Sequence, residues 1–315
     1  MTHLLIAGKL HPSGLNLLNK ADAITFDYVP DIDETSYLKF LPKADGLVIR
    51  TQPLTALHIA KAPNLRVVSR HGVGYDAVDY EALKMRNIPL AIVGDVNSRT
   101  VAEHAMMLIL AASRCLVKSV NALRKGDWAQ RNTFEPKEVF GKTLLIIGYG
   151  RIGRHLSVLA QAFGIKVLSY DPFLQDDAFD GAIRVKSVAE GLLKADFVSL
   201  HIPKANSVVL GAAELDLLPP HAVIINTARG GIIDEAALIR RLKHNKIGAV
   251  GLDVLNDEPP KEDNPLFQFD NVIITPHSAG LTEECAERMA LVCVQNVLDY
   301  FNGKLDPSLV VNGIS

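Results

Sequence analysis

One short glycine pattern constrains this chain more than any other feature: Gly148-Tyr149-Gly150-Arg151-Ile152-Gly153 directly follows the apolar run Thr143-Leu144-Leu145-Ile146-Ile147. The first glycine permits a tight strand-to-helix turn. The second lets a ligand approach the backbone, and the third lets the helix pack against its strand. Ile152, Leu156, Leu159, Ala160 and Phe163 then recur at helical spacing, and Asp171 closes the next apolar run, residues 166–170. Strand, glycine turn, helix and acid in this order predict a dinucleotide site, with the pyrophosphate on the N–H groups at the helix N-terminus. The carboxylate of Asp171 would accept hydrogen bonds from ribose hydroxyls and repel a 2′-phosphate, so the expected cofactor is NAD rather than NADP.

At 315 residues the chain exceeds what one core usually serves, so two domains are expected. Its net charge of −2 and the lack of any basic block argue against nucleic acid or an anionic membrane surface. Small molecules and a second copy of the chain are the expected partners. Cys115, Cys285 and Cys293 are odd in number and lack metal-ligand spacing, which predicts buried, reduced thiols, no metal site and a cytoplasmic setting. The N-terminal apolar stretch is too short for a signal peptide, and no run approaches the roughly 18 residues that span a bilayer.

Short apolar runs at residues 4–7, 23–29, 46–49, 66–69 and 90–93 alternate with helical patterns, the signature of a parallel sheet. Thr100 and Glu103 have capping-box spacing and predict the start of one long helix running towards Leu123. A second alternation then supplies six strands, at 143–147, 166–170, 197–200, 222–226, 249–253 and 272–275. Ser187 with Glu190, and Asp234, predict two further helix starts. The last helical pattern, residues 283–301, has no place in that second sheet and is expected to rejoin the first domain.

In an open α/β sheet, ligands bind beyond the carboxyl ends of the strands. Three consecutive ends in the second half carry Arg229, then Asp253 and Glu258, then His277. Singly, each suits a surface or a turn. Together, beside a dinucleotide, they supply what reduction of a keto acid requires: a proton donor (His277), a carboxylate that favours its charged form (Glu258), and a planar cation for the substrate carboxylate (Arg229). In the first half, Arg70-His71-Gly72-Val73-Gly74 follows a strand and could cradle a carboxylate on backbone N–H groups. His71 is the weaker catalytic candidate, having no carboxylate at a comparable strand end.

With Asn97 to His104, His201-Ile202-Pro203, Asn226 to Gly230, Gly251 to Val254, Asp257-Glu258-Pro259 and Pro276-His277 added, the chain resembles the D-isomer-specific 2-hydroxyacid dehydrogenases. It is similar in particular to the phosphoglycerate dehydrogenase and hydroxypyruvate or glyoxylate reductase branch. The resemblance implies an α/β architecture of two Rossmann-like or flavodoxin-like doubly wound parallel-sheet domains with a hinge and an interdomain cleft. Residues 1–97 plus 283–315 would bind substrate and residues 98–282 would bind NAD. It implies Arg229, Glu258 and His277 as the catalytic residues and a substrate carboxylate held by Val73 and Gly74. Arg50 and Arg70 match phosphate-holding positions, and Arg131 lies in a segment that reaches across the dimer. Implied cofactor contacts come from Thr100, Gly148, Gly150, Arg151, Ile152, Gly153, Asp171, His201, Pro203, Thr227 and Asp253, and the assembly would be a homodimer built on the helix after Thr100. Formate dehydrogenases share the fold but pair the histidine with glutamine, so Glu258 argues against them. The expected activity is NAD-dependent interconversion of a 2-keto acid and a D-2-hydroxy acid, with hydroxypyruvate, glyoxylate or a phosphoglycerate-like acid as substrate. The alternative is an NAD(H)-sensing corepressor of the same fold.

Overall fold

A computed structural model describes residues 1–31, 33–204 and 207–314. The chain divides into two compact units, Met1–Asn97 with Leu281–Ser315, and Ser98–Gly280.

The first unit holds β1 (Thr2–Ala7), α1 (Pro12–Asn19), β2 (Ile24–Val29), β3 (Gly46–Ile49), α2 (Ala56–Ala60), β4 (Val67–Arg70), α3 (Tyr80–Met85) and β5 (Leu90–Ala91). Its five strands are parallel in the order β2-β1-β3-β4-β5. Strands covered on both faces read as continuous apolar runs, and Leu4, Leu5, Ile6, Leu47, Val48 and Ile49 are essentially inaccessible to solvent.

The second unit begins with α4 (Ser98–Ser113) and α5 (Leu116–Arg124), followed by β6 (Thr143–Ile147), α6 (Arg151–Ala162), β7 (Lys166–Tyr170), β8 (Ile183–Arg184), α7 (Val188–Leu192), β9 (Phe197–Leu200), α8 (Ala212–Asp216), β10 (Val223–Asn226), α9 (Glu235–Lys243), β11 (Ala249–Leu252) and β12 (Val272–Ile274). The sheet runs β12-β11-β10-β9-β6-β7-β8. Strand order therefore reverses between β6 and β9, where a crevice for a ligand opens beyond the carboxyl ends. The final helix, α10 (Glu283–Phe301), returns to the first unit, where Met289, Cys293, Val294 and Val297 pack on Leu4, Ile6, Val48 and Val67.

Several expectations need correction. The helix near residue 100 starts at Ser98, so Thr100 lies inside its first turn and is buried rather than capping, while Glu103 pairs with Arg99 one turn away. Nor does it run unbroken to Leu123: Cys115 adopts a left-handed conformation (φ 49°), and α4 and α5 meet at a bend of 58°. Cys115 is therefore only half-buried, unlike Cys285 and Cys293. The second sheet has a seventh strand, β8, which is too short and too exposed to leave a periodic signal. At α7 the Ser187 hydroxyl accepts from Glu190 N as expected, but the Glu190 carboxylate reaches past Ser187 to Lys186 N. Leu281 and Thr282 fall with the first unit because the Thr282 side chain caps α10 by accepting from Cys285 N.

Candidate active site

The glycine turn sits at the strand-order reversal. Gly148 has a left-handed φ of 95°, and a Cβ there would stand 2.5 Å from the carbonyl oxygen of His201, so the turn after β6 presses against the chain leaving β9. A Cβ on Gly153 would stand 2.4 Å from Gly148 O, which fixes α6 against its own strand. Gly150 differs: nothing lies within 4 Å of where its Cβ would be. That open face, at the N-cap of a helix without a side-chain cap, is what a pyrophosphate needs. Arg151 opens α6 at the same point, and Ile152 packs its side chain against the core below.

Asp171 is tied to this turn. Its Oδ2 accepts from Tyr149 N at 3.0 Å and its Oδ1 from Phe173 N at 3.0 Å, leaving lone pairs for ribose hydroxyls. Two further polar atoms suit a ligand. The Thr227 hydroxyl and His201 Nδ1 are buried with no protein partner among the described residues, whereas most such atoms in folded proteins are satisfied. Burial depresses the His201 imidazole to about 3, so it is neutral, and its Nε2 lies 2.8 Å from Ser199 Oγ. Pro203, two residues on, is exposed. The residues present fit a dinucleotide.

The next three strand ends bring the candidate acid–base groups together. His277 Nδ1 and Glu258 Oε2 are 2.7 Å apart, and Glu258 Oε1 accepts from Leu255 N at 2.9 Å. The hydrogen bond that His277 donates to Glu258 raises the imidazole above its ordinary range; burial and the Arg229 charge oppose this, while the charges of Glu258 and Asp253 add to it. Burial pushes the Glu258 carboxyl up, but the His277 and Leu255 hydrogen bonds and the His277 and Arg229 charges outweigh it, and the net shift is down. Arg229 is thus within electrostatic reach of both partners, and its Nη1 donates to Ala228 O at 2.7 Å. Asn226, quoted above only as part of a motif, shapes this turn: its side chain donates to Arg229 O and accepts from Ala228 N. Asp253 is 1% exposed, and both its oxygens accept from the 275–279 turn, leaving it little freedom beyond one further donor.

In the first unit, Arg50, Arg70 and His71 lie close enough that both guanidiniums act on the imidazole. Burial and these two charges hold His71 down to about 4. His71 is therefore a buried neutral ring with both nitrogens lacking a partner among the described residues. It has no carboxylate partner among them, and its proximity to Arg50 arises only when β3 and β4 pair, Ile49 beside Arg70. Val73 and Gly74 follow on the turn, which Gly72 enters at a φ of 150°. Arg131 stacks over Trp128 in an exposed 3-10 turn, 5.6 Å from its ring centre. No group of three metal-ligating side chains occurs among the described residues.

Comparison with known proteins bears on this geometry. Residues 106–279 match the model of the D-isomer specific 2-hydroxyacid dehydrogenase NAD binding domain. D-3-phosphoglycerate dehydrogenase of Methanocaldococcus jannaschii is 36% identical over 98% of this chain, which spans 59% of that relative's length. Glyoxylate reductase of Pyrococcus furiosus is 31% identical over 98% of this chain and 94% of its own. D-lactate dehydrogenase of Aquifex aeolicus, solved with NAD and lactic acid, superimposes with a TM-score of 0.86 at 27% identity, covering 99% of this chain and 100% of that one. The chain belongs to the D-isomer-specific 2-hydroxyacid dehydrogenase family, and residues 106–279 form its NAD-binding domain.

Proposed function

We propose that this protein interconverts a 2-keto acid and the corresponding D-2-hydroxy acid, with NAD as the redox partner. The observation that carries the reading is the 2.7 Å contact of His277 with Glu258, with Arg229 beside them, in a family NAD-binding domain. A dinucleotide held by the glycine turn and Asp171 would supply or take up the hydride exchanged with the carbon that carries the oxygen. Glu258 occupies Nδ1 of His277, so Nε2 holds the proton delivered to the oxygen during reduction and taken back during oxidation. Arg229 offers a planar, permanently charged fork to the substrate carboxylate and polarises the carbonyl. In the first unit, the turn at Val73 and Gly74 offers backbone N–H groups suited to a carboxylate. Thr100, Arg151, His201, Thr227 and Asp253 contribute to the dinucleotide site, and the Asp171 carboxylate disfavours a 2′-phosphate there.

The pH dependence follows from the raised imidazole. Reduction needs protonated His277, so its rate is expected to be full below the raised pKa and to fall as pH rises through it; oxidation needs the neutral ring and runs the opposite way. Glu258→Gln removes the largest raising cause and should move the reduction limb to lower pH. Steady-state rates from pH 5 to 10 check this, and an unmoved limb would remove the role given to Glu258. A panel of 2-keto acids with NADH tests the activity itself. A dinucleotide-sensing corepressor would bind NADH in that panel yet turn over feebly.

The substrate we propose is a short 2-oxo acid: hydroxypyruvate, its phosphate, or the unsubstituted glyoxylate. The pairing of Arg50 and Arg70 around His71 supports an anionic or hydroxyl-bearing distal group. Arg50→Ala and Arg70→Ala should each shift the kcat/KM ratio of phosphorylated over unphosphorylated hydroxypyruvate downwards by about tenfold. An unchanged ratio in both variants would dismiss these side chains as selectors.

We also propose a homodimer. Helix α5 buries none of its residues in the monomer and exposes Leu116, Val117, Val120 and Leu123, with Trp128 and Phe134 exposed just beyond it. Light scattering on the intact chain decides the point. The unpaired cysteines support a reducing, cytoplasmic setting.

A further inference from the structure

The turn that presents His277 is held from behind by a chain of side chains that the acid–base chemistry does not use. Thr275 Oγ1 donates to Asp253 Oδ1 at 2.5 Å. A threonine hydroxyl has one proton, so its oxygen meets His104 Nε2, 3.0 Å away, as an acceptor, and His104 must carry its proton on Nε2. Asp253 passes the constraint on: Oδ1 also accepts from Ser278 N at 2.9 Å, Oδ2 accepts from Ala279 N at 2.8 Å, and its backbone oxygen accepts from His277 N at 2.9 Å. Between these anchors His277 stands at a φ of 49°, a conformation that residues other than glycine keep only where their surroundings over-determine it.

We infer that His104 and Thr275 are positioning residues, which clamp the Asp253 carboxylate against the 275–279 turn and thereby set the imidazole of His277 against Glu258. The inference rests on the proposed hydroxyacid chemistry for its purpose but not for its test. The burial of Asp253 gives it force. A carboxylate only 1% exposed needs its donors, and removing one loosens the whole set rather than inviting water to replace it. His104 reaches this cluster from α4, 171 residues away in sequence, so the first helix of the domain and its last strand are joined at the point where the turn begins. Among the described residues, the charges acting on His277 are Glu258, Asp253 and Arg229, and the one acting on His104 is Asp253.

The decisive measurement is an NMR titration of His277 in the intact, dinucleotide-free protein, its resonance assigned against His277→Asn. Thr275→Val should weaken proton binding at His277 about three- to tenfold, because the contact with Glu258 slackens, and Thr275→Ser should restore it. His104→Phe should move the titration in the same direction. A folded Thr275→Val protein in which His277 titrates as in the wild type would overturn the inference. Should valine prevent folding, His104→Phe carries the same decision. If the titrations shift as expected but the wild type reduces no keto acid, the clamp stands and the dehydrogenase reading falls.

Discussion

Replacing His277 by asparagine is expected to lower kcat for keto-acid reduction by about 10²–10⁴-fold, the span typical of losing a positioned general acid, while NADH binding stays close to wild type. Asparagine is the informative choice. The left-handed φ of 49° at this position would strain most side chains, and asparagine tolerates it, so loss of rate is not confounded with loss of the turn. The amide can neither give nor take the proton. Glu258 would keep its hydrogen bond from Leu255 N but lose the contact with the imidazole. Its carboxyl, held down in part by His277, should then rise towards its ordinary value, and the pH dependence of reduction should flatten. Stopped-flow rates with NADH and hydroxypyruvate or glyoxylate, alongside NADH affinity by fluorescence, check both halves. A variant within tenfold of the wild-type kcat would mean that another group delivers the proton.

The features readable in the sequence were those governed by local backbone chemistry. Gly148 and Gly153 announce the turn because a Cβ at either would collide with backbone, Gly150 leaves its face open between them, and the apolar runs of parallel strands are unmistakable because both faces are buried. Arg229, Glu258 and His277 could be grouped because successive strands in a doubly wound sheet deliver their loops to one edge. What depends on contacts between distant segments was hidden. Thr100 and Glu103 have the spacing of a cap, yet the helix begins at Ser98, Thr100 is buried within its first turn, and Glu103 pairs with Arg99 instead. The bend at Cys115 leaves no glycine or proline to mark it. The link from His104 to Thr275 and the meeting of Arg50 with His71 have no local signature, since each exists only after strands and helices have paired.

The second large effect is expected at a residue with no chemistry of its own. Gly230 marks the contact between the loop after β10, which carries Arg229, and the loop after β11, which carries Glu258. A Cβ there would stand 1.9 Å from Leu255 O, 2.5 Å from Leu255 C and 3.0 Å from Asn256 N, all backbone atoms that cannot swing aside. The φ of Gly230 is not left-handed, so close approach rather than backbone freedom requires the glycine. Around it the two loops are laced together, Gly231 N donating to Asn256 Oδ1 at 2.7 Å and Asn256 N to Glu235 Oε1 at 2.7 Å. Gly230→Ala must push the second loop outwards, costing about 1–3 kcal/mol in overpacking, and it carries Leu255 N, the donor that orients Glu258, away with it. A displacement on the order of 1 Å at a reacting group costs about 10²-fold in rate, so kcat/KM should fall by that much or more. Gly231→Ala is the matched control. Its φ of 81° makes alanine strained by about 1 kcal/mol, but nothing lies within 4 Å of the new Cβ, so stability should drop while kcat holds. Thermal unfolding and steady-state kinetics on the pair separate the two causes. Equal loss of rate in both variants would show that the enzyme responds to loop strain in general, and that the Gly230 contact does not set the spacing between the Arg229 and Glu258 loops.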